Sequence, residues 1–406
     1  MRQSVSIFKP EKFYLSDLLF LCEFILIIQP AFLNFLNINL MHLLLIATTA
    51  YEIVRYFALA KLSLTTDIFI LVYIALQWAI SMILHSVSIV ASIKQPLIIL
   101  LTYLSIRRRL VSSRHHTLTA LSAFSWIVIA LNFFSVLLFP YGLFQRQNVS
   151  NINQSIFFFG VDNQFGRVLY PCMAIIVFFE TFYKKKRYLL SISAIGMVGF
   201  GYFYRGNGAG IISFVIYCAL LILFFASKQK VLLNGIKLSV LIIALNVLLL
   251  SSKAILSIDF VKGIFQALGK DTTLTGRTDI WDAGLKVFSK HPLIGIGQQV
   301  DDIVVMVDGT PYMAHNRFLQ TLLEGGIVSF SLMILSFGCI IMKGQKNIHR
   351  IPQLQLLYIG FFATFFYFFV ETASFAPVYM LMLVLSEYAS QSPGMSYECA
   401  IASLVD

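Results

Sequence analysis

Three short runs place cations and a histidine among glycines, a pattern suited to holding and transferring a phosphate-activated group. In GYFYRGNGAG (201–210), Arg205 stands at the end of an apolar stretch with Gly206, Gly208 and Gly210 behind it. A guanidinium beside amides at a helix start can grip a phosphate or pyrophosphate. The same place also suits an arginine anchored at a membrane interface. TGRTDIW (275–281) supplies a second cation, Arg277, and AHNRFLQTLLEGGI (314–327) puts His315 and Asn316 directly before another apolar run. An imidazole with an ordinary pKa of about 6.5 accepts or donates a proton near neutrality. Two guanidiniums on a bound phosphate group would stabilise negative charge developing on it. His315 would then act as general base on an incoming hydroxyl or, protonated, as a third phosphate ligand. Asp271, Asp279, Asp282, Asp301, Asp302 and Asp308 show no metal-ligand spacing, so no metal and no other cofactor is expected.

The elements that must position these residues are membrane helices. Of 406 residues, 58% are hydrophobic and 12% charged, with mean hydropathy +0.83, a balance that excludes a water-soluble enzyme. Apolar runs lie near 14–36, 39–60, 66–84, 87–106, 118–139, 168–183, 188–204, 208–226, 233–251, 319–342, 354–371 and 375–390. At about 20 residues per crossing they account for about 240 residues. Lys9 and Lys12 precede a first run longer than a cleavable leader needs, so it is expected to remain as an anchor. Four of the five cysteines lie inside apolar runs, without a disulfide framework.

Basic clusters fall on alternate loops: Arg2, Lys9 and Lys12; Arg107, Arg108, Arg109 and Arg114; Lys184, Lys185, Lys186 and Arg187; Lys228 and Lys230; Lys343, Lys346 and Arg350. Since Lys and Arg collect on the cytoplasmic side, both termini are expected there, and topology rather than nucleic-acid binding explains the net charge of +11. The opposite, external side then carries two long loops, about 140–167 and about 252–318, where function is expected. The chain divides accordingly into 1–251 with the first nine runs, 252–318 as the large catalytic loop, and 319–406 with the last three runs and a cytoplasmic tail. Within the large loop, IDFVKGIFQALGK (258–270) and TDIWDAGLKVFSKH (278–291) are amphipathic, the latter gathering Ile280, Trp281, Gly284, Leu285 and Phe288 on one face. These helices would lie on the membrane surface, cover the mouth of the bundle, or pack on the spans.

Two charges sit at costly depth, Glu23 in the first run and Lys94 in the fourth, at about 2.5–3.5 kcal/mol each. A Glu23–Lys94 pair would relieve the cost, as would snorkelling of either side chain. Pro96 is expected to kink or break the fourth run.

GRTDIWDAGLKVFSKHPLIGIG, followed by AHNRFLQTLLEGGI and preceded about seventy residues upstream by an arginine-plus-glycine junction, resembles the bacterial O-antigen ligase and polymerase family. The many spans and one large late external loop resemble it too. The resemblance implies an all-α polytopic membrane protein of about 12 transmembrane helices with a C-type glycosyltransferase-like fold. It further implies a membrane glycosyltransferase of the bacterial inner (cytoplasmic) membrane, acting on the external face without nucleotide sugar. Its donor and acceptor would be oligosaccharides on undecaprenyl diphosphate, with the lipid bilayer, a chain-length regulator and other polysaccharide-assembly proteins as partners, and no nucleic acid. Arg205 matches the family's junction arginine, although Tyr204 stands where the family often has Ser or Thr. Arg277 matches the arginine of its G-R-x-x-x-W pattern, and His315 the histidine before the next span. Asn316, and Asn163 in DNQFG, would join the substrate-binding set. The product would be polysaccharide extended by repeat units, as O-antigen, capsule or exopolysaccharide. The alternatives are a ligase moving finished glycan to another acceptor, and a flippase or transporter of lipid-linked oligosaccharide, which should carry charge through the depth of its bundle.

Overall fold

A computed structural model of the chain describes residues 15–31, 33, 38–59, 64–84, 89–147, 153–183, 188–228, 233–251, 276–298, 304–372 and 374–390. A helix coincides with each of the twelve apolar runs. They are α1 (Leu15–Ile28), α2 (Ile38–Leu59), α3 (Leu64–Ile83), α4 (Ile89–Ser112), α5 (Arg114–Leu138), α6 (Gly166–Tyr183), α7 (Leu189–Arg205), α8 (Gly208–Ala226), α9 (Gly235–Leu250), then α11 (Arg317–Asn347), α12 (Leu354–Tyr367) and α13 (Ala376–Ala389). Between α9 and α11 lies α10 (Arg277–Lys290), the second amphipathic stretch; the first, 258–270, falls outside the described residues. The protein is a mostly helical, multi-pass membrane protein. Among the described residues four helices, α5, α6, α8 and α11, are long and apolar enough to cross a membrane, and Ile68–Ile83, α9, α12 and α13 are shorter apolar helices.

Two small hairpins depart from the expected all-α class. β1 (Phe144–Gln147) pairs antiparallel with β2 (Asn153–Ile156), and β3 (Val305–Val307) with β4 (Thr310–Tyr312). Both lie in the long loops between helices, where strand pairing satisfies backbone groups that no helix uses.

Burial separates the helices into an inner and an outer set. Every residue of α13 and nearly every residue of α6 and α12 is buried. At 14 residues, α12 and α13 are only about 21 Å long; protein rather than lipid surrounds them, so they need not match a hydrocarbon core of about 30 Å. α8 and α9 instead expose apolar side chains such as Ile212, Val215, Ile222, Val240, Val247 and Leu248, a surface that lipid can solvate.

Glu23, buried at depth, is held in an ion pair. Glu23 meets Arg109, at 3.3 Å, and the Ser105 hydroxyl, so its cation comes from the arginine run at the end of α4 and not from Lys94. Arg107, Arg108 and Arg109 are consecutive, and successive helical residues point about 100° apart. They therefore fan out to three neighbours: Glu387 on α13, Glu52 on α2 and Glu23 on α1. Arg114 at the start of α5 takes the second oxygen of Glu387. Residues counted above as topology markers thus also tie five helices together. α4 itself runs through Pro96 as one helix, so of the expected kink or break the break is not found.

Arg108 grips Glu52 with both Nε and Nη2, and both side chains are buried. Glu52→Ala leaves that guanidinium buried without a carboxylate, at a cost of about 3–5 kcal/mol. A clear fall in the thermal midpoint of the detergent-solubilised protein is expected, while Arg55→Ala, at an exposed position of the same helix, leaves it nearly unchanged.

Candidate active site

The site is built at the opposite end of α4 from the arginine fan, around the start of α11. That helix is kinked: Gly326 has φ 63° and ψ −167° within it, which frees backbone groups on either side. HPLIGIG fills the break. Ile296 and Gly297 donate their N–H groups to Leu323 O (2.7 Å) and Glu324 O (3.0 Å), and Ile327 N–H reaches back to Pro292 O (2.8 Å). A methyl on Gly326 would lie 2.1 Å from Leu293 O, and one on Gly295 2.3 Å from Leu323 O. The two motifs HPLIGIG and LLEGGI therefore recognise each other backbone to backbone, and only glycine permits that approach.

α10 docks on the same framework. Trp281 is buried and donates from Nε1 to Ala314 O at 3.0 Å, while Ile280 packs in the cluster of Leu319 and Leu323. The helix packs on α11 through Ile280 and Trp281, with Leu285 exposed. It sets Arg277, its first residue, toward α11.

Asn316 caps α11. Its Oδ1 accepts from Leu319 N at 2.9 Å, and its Nδ2 donates to Asn246 Oδ1 at 2.7 Å and to Phe369 O at 2.9 Å, all fully buried. Arg317 N donates to Phe368 O at 2.9 Å. These bonds bring the turn after α12 against residue 315 and hold His315 at φ 45°, a left-handed backbone that side-chain-bearing residues adopt at a cost.

The turn delivers Glu371, which no sequence motif singled out. Its Oε1 accepts from Arg277 Nη2 at 2.7 Å, and its Oε2 accepts from Asn163 Nδ2 at 3.3 Å and stands 3.8 Å from His315 Nδ1. Three of the expected site residues, from three distant segments, thus converge on one buried carboxylate. Arg205 joins through the neighbouring residue: its Nε is 3.8 Å from Asp162 Oδ2, its guanidinium lies 4.8 Å over the Phe157 ring, and Nη1 donates to Pro140 O at 3.1 Å. Asn207 secures that segment from the other side, donating to Asp162 O at 2.8 Å while its Oδ1 caps α8 at Gly210 N. The Gly210 amide is therefore occupied by the cap and not open to a ligand.

Asn163 Oδ1, His315 Nδ1 and Arg205 Nε are buried without a hydrogen-bond partner among the described residues. Buried polar atoms are nearly always paired, so this cluster has capacity for a polar ligand. An anion between the arginines with a proton acceptor beside it is the chemistry the group can perform. Glu371 had one signal in the sequence, a lone carboxylate closing an otherwise apolar run (FFYFFVETASF), and Asp162 adjoined the Asn163 already noted.

Two further features border the site. A small cleft between α3, α4 and α11 mixes polar side chains, among them Gln77, Gln95, Arg317 and Glu324, with apolar ones such as Ile74 and Ile99. An apolar groove between α9, α11 and α12 starts at Phe318 and passes Phe337, Gly338, Ile341 and Phe361.

Residues 194–334 match the model of the O-antigen ligase family; that stretch contains Arg205, Arg277, His315 and Asn316 but neither Asn163 nor Glu371. Over 90 residues the chain is 28% identical to the exopolysaccharide production protein ExoQ of Rhizobium meliloti (strain 1021). The alignment covers 19% of this chain and 20% of that protein, so the chain spans about a fifth of the length of the relative it matches.

Asn316→Ala would remove the cap of α11 and orphan the buried Asn246 Oδ1, for a loss of about 2–4 kcal/mol. Thermal unfolding should show that loss with or without substrate, separating a positioning role from one in which Asn316 touches only ligand.

Proposed function

Taking as premise that this chain is a member of the O-antigen ligase and polymerase-like family, we infer that it is a membrane glycosyltransferase extending a lipid-linked polysaccharide. The donor is an oligosaccharide on undecaprenyl diphosphate, and the acceptor is the terminal sugar of another lipid-linked repeat unit. Transfer occurs on the external face of the bacterial inner membrane, in a bundle of about twelve crossings with both termini cytoplasmic, and residues 252–318 form the catalytic loop. The observation that carries this reading is the convergence of Arg277, His315 and Asn163 on Glu371, with Arg205 one residue away through Asp162.

In the proposed reaction a hydroxyl oxygen of the acceptor attacks the anomeric carbon of the donor. The bond from that carbon to the diphosphate oxygen breaks, and the diphosphate leaves on its lipid. Arg277 and Arg205 hold the departing oxygens, where charge grows, and this favours the transition state electrostatically. His315 takes the hydroxyl proton as general base, a contribution of about 10²–10⁴-fold. Asn316 acts by positioning His315. The apolar groove that begins at Phe318, three residues beyond His315, supports a substrate with a hydrocarbon tail.

The family's description favours a second reading, a ligase that moves finished glycan to a different acceptor, whereas the relative's name speaks of polysaccharide production. Lipid-linked and surface glycan, resolved by length and by side of the membrane in cells lacking this chain, separates them. Single repeat units outside support the polymerase; long chains stranded on the carrier support the ligase. Repeat units trapped inside would overturn both in favour of a transporter.

Arg277→Ala and His315→Ala should each abolish long chains while leaving membrane insertion intact, and Arg277→Lys should also be damaging because an ammonium cannot reproduce a bidentate fork. Near-normal chain lengths from both alanine variants would remove this site from consideration. Gly338→Phe tests the groove that Gly338 lines: nothing lies within 4 Å of where its Cβ would stand, so a side chain starts there without displacing backbone. It should raise KM for lipid-linked donor several-fold at an unchanged melting temperature.

A further inference from the structure

Two of the arginine–glutamate contacts among the described residues differ in design. Arg108 and Glu52 form a bidentate pair with both side chains buried. Arg277 instead gives Glu371 one hydrogen bond, from Nη2 at 2.7 Å, and the arginine side chain is 22% exposed against 6% for the carboxylate. Donors of the Arg277 fork other than Nη2 are thus left for a second anion. Glu371 lies in the irregular turn between α12 and α13 and not on a helix.

We propose that Glu371 is an exchangeable counter-ion, holding Arg277 while the site is empty and giving it up to the diphosphate of the incoming donor. The proposal rests on the glycosyl-transfer reading of this site. A partly buried guanidinium needs an anion, and carboxylate and phosphate oxygens compete for the same fork of donors. The gap to His315 has the complementary form. At 3.8 Å, Nδ1 and Oε2 are too far apart for a hydrogen bond, and Nδ1 has no other hydrogen-bond partner among the described residues. Glu371, once released by Arg277, closes that gap and accepts from Nδ1–H. The ring is then fixed with Nε2 as the proton acceptor facing the hydroxyl. Glu371 transfers no atom; it is a positioning residue whose partner changes when substrate binds. Asn163, bonded to the same Oε2, steadies the carboxylate in both positions.

The test uses inorganic pyrophosphate as the probe on the full chain in lipid nanodiscs, beside steady-state transfer from lipid-linked donor. Glu371→Gln keeps an acceptor oxygen for Arg277 but removes the competing charge. Pyrophosphate affinity should rise five-fold or more and KM for donor should fall, while kcat drops at least ten-fold because His315 loses its orienting carboxylate. Glu371→Asp should restore part of kcat and return KM toward the wild-type value. A purely structural glutamate would not lower KM. Pyrophosphate bound by the wild type with no gain in the Gln variant overturns the exchange and leaves the diphosphate site standing, as does a Gln variant that merely melts lower with both constants worse. Pyrophosphate bound by neither protein overturns the diphosphate reading and the exchange with it.

Discussion

A charge or a bare backbone group inside a low-dielectric bundle has to find its partner within the protein, because no water is there to solvate it. That constraint organises this structure at both ends. At one end it turns three consecutive arginines into ties to α1, α2 and α13, with Arg114 adding α5. The helix period supplies the geometry: residues one apart face different neighbours, so a single basic run satisfies carboxylates on several helices at once.

At the other end the same requirement acts on backbone. A kink at Gly326 interrupts the ladder of α11, and the loop at 292–297 supplies the donors and acceptors that the kink leaves open. The interlock fixes where α10 lies, and α10 in turn places Arg277. The start of α11 is tied to the turn after α12 by Asn316 and Arg317, and that turn carries Glu371. Each site residue is thus positioned by an element that is itself pinned by hydrogen bonds to another. A left-handed residue such as His315 persists only where its surroundings over-determine it.

The two ends also show how one pair of residue types serves two purposes. Where Arg and Glu meet in full with no exposed edge, as Arg108 and Glu52 do, the contact is structural and costly to break. Where they meet by one bond beside unpartnered polar atoms, as at Arg277 and Glu371, the contact has room to be exchanged. The candidate site residues gather at helix termini and loops, whereas Glu23 at depth is held by Arg109 and Ser105 of α4.

Apolar run length located twelve of the described helices, because membrane-scale hydrophobic runs are long. Their ends are set by local partners: α1 stops at Ile28 where the apolar run extends to 36, and α4 continues to Ser112 where the run ends at 106. Local chemistry was equally legible: the cations, the histidine and the glycine motifs stand out against so apolar a background. Partnerships were not. Asn316 reads as a polar residue beside a histidine, and only the approach of Asn246 and Phe369, 70 and 53 residues away in the chain, shows that its amide is spent on holding α11. Glu23 reads as needing a cation, but which cation depends on the rotation of α4 against α1. Glu371 looked like the polar end of an apolar run until the turn after α12 met the starts of α10 and α11. A sequence records which groups will need partners; which partner each one finds is a distance between segments far apart in the chain, and only folding sets it.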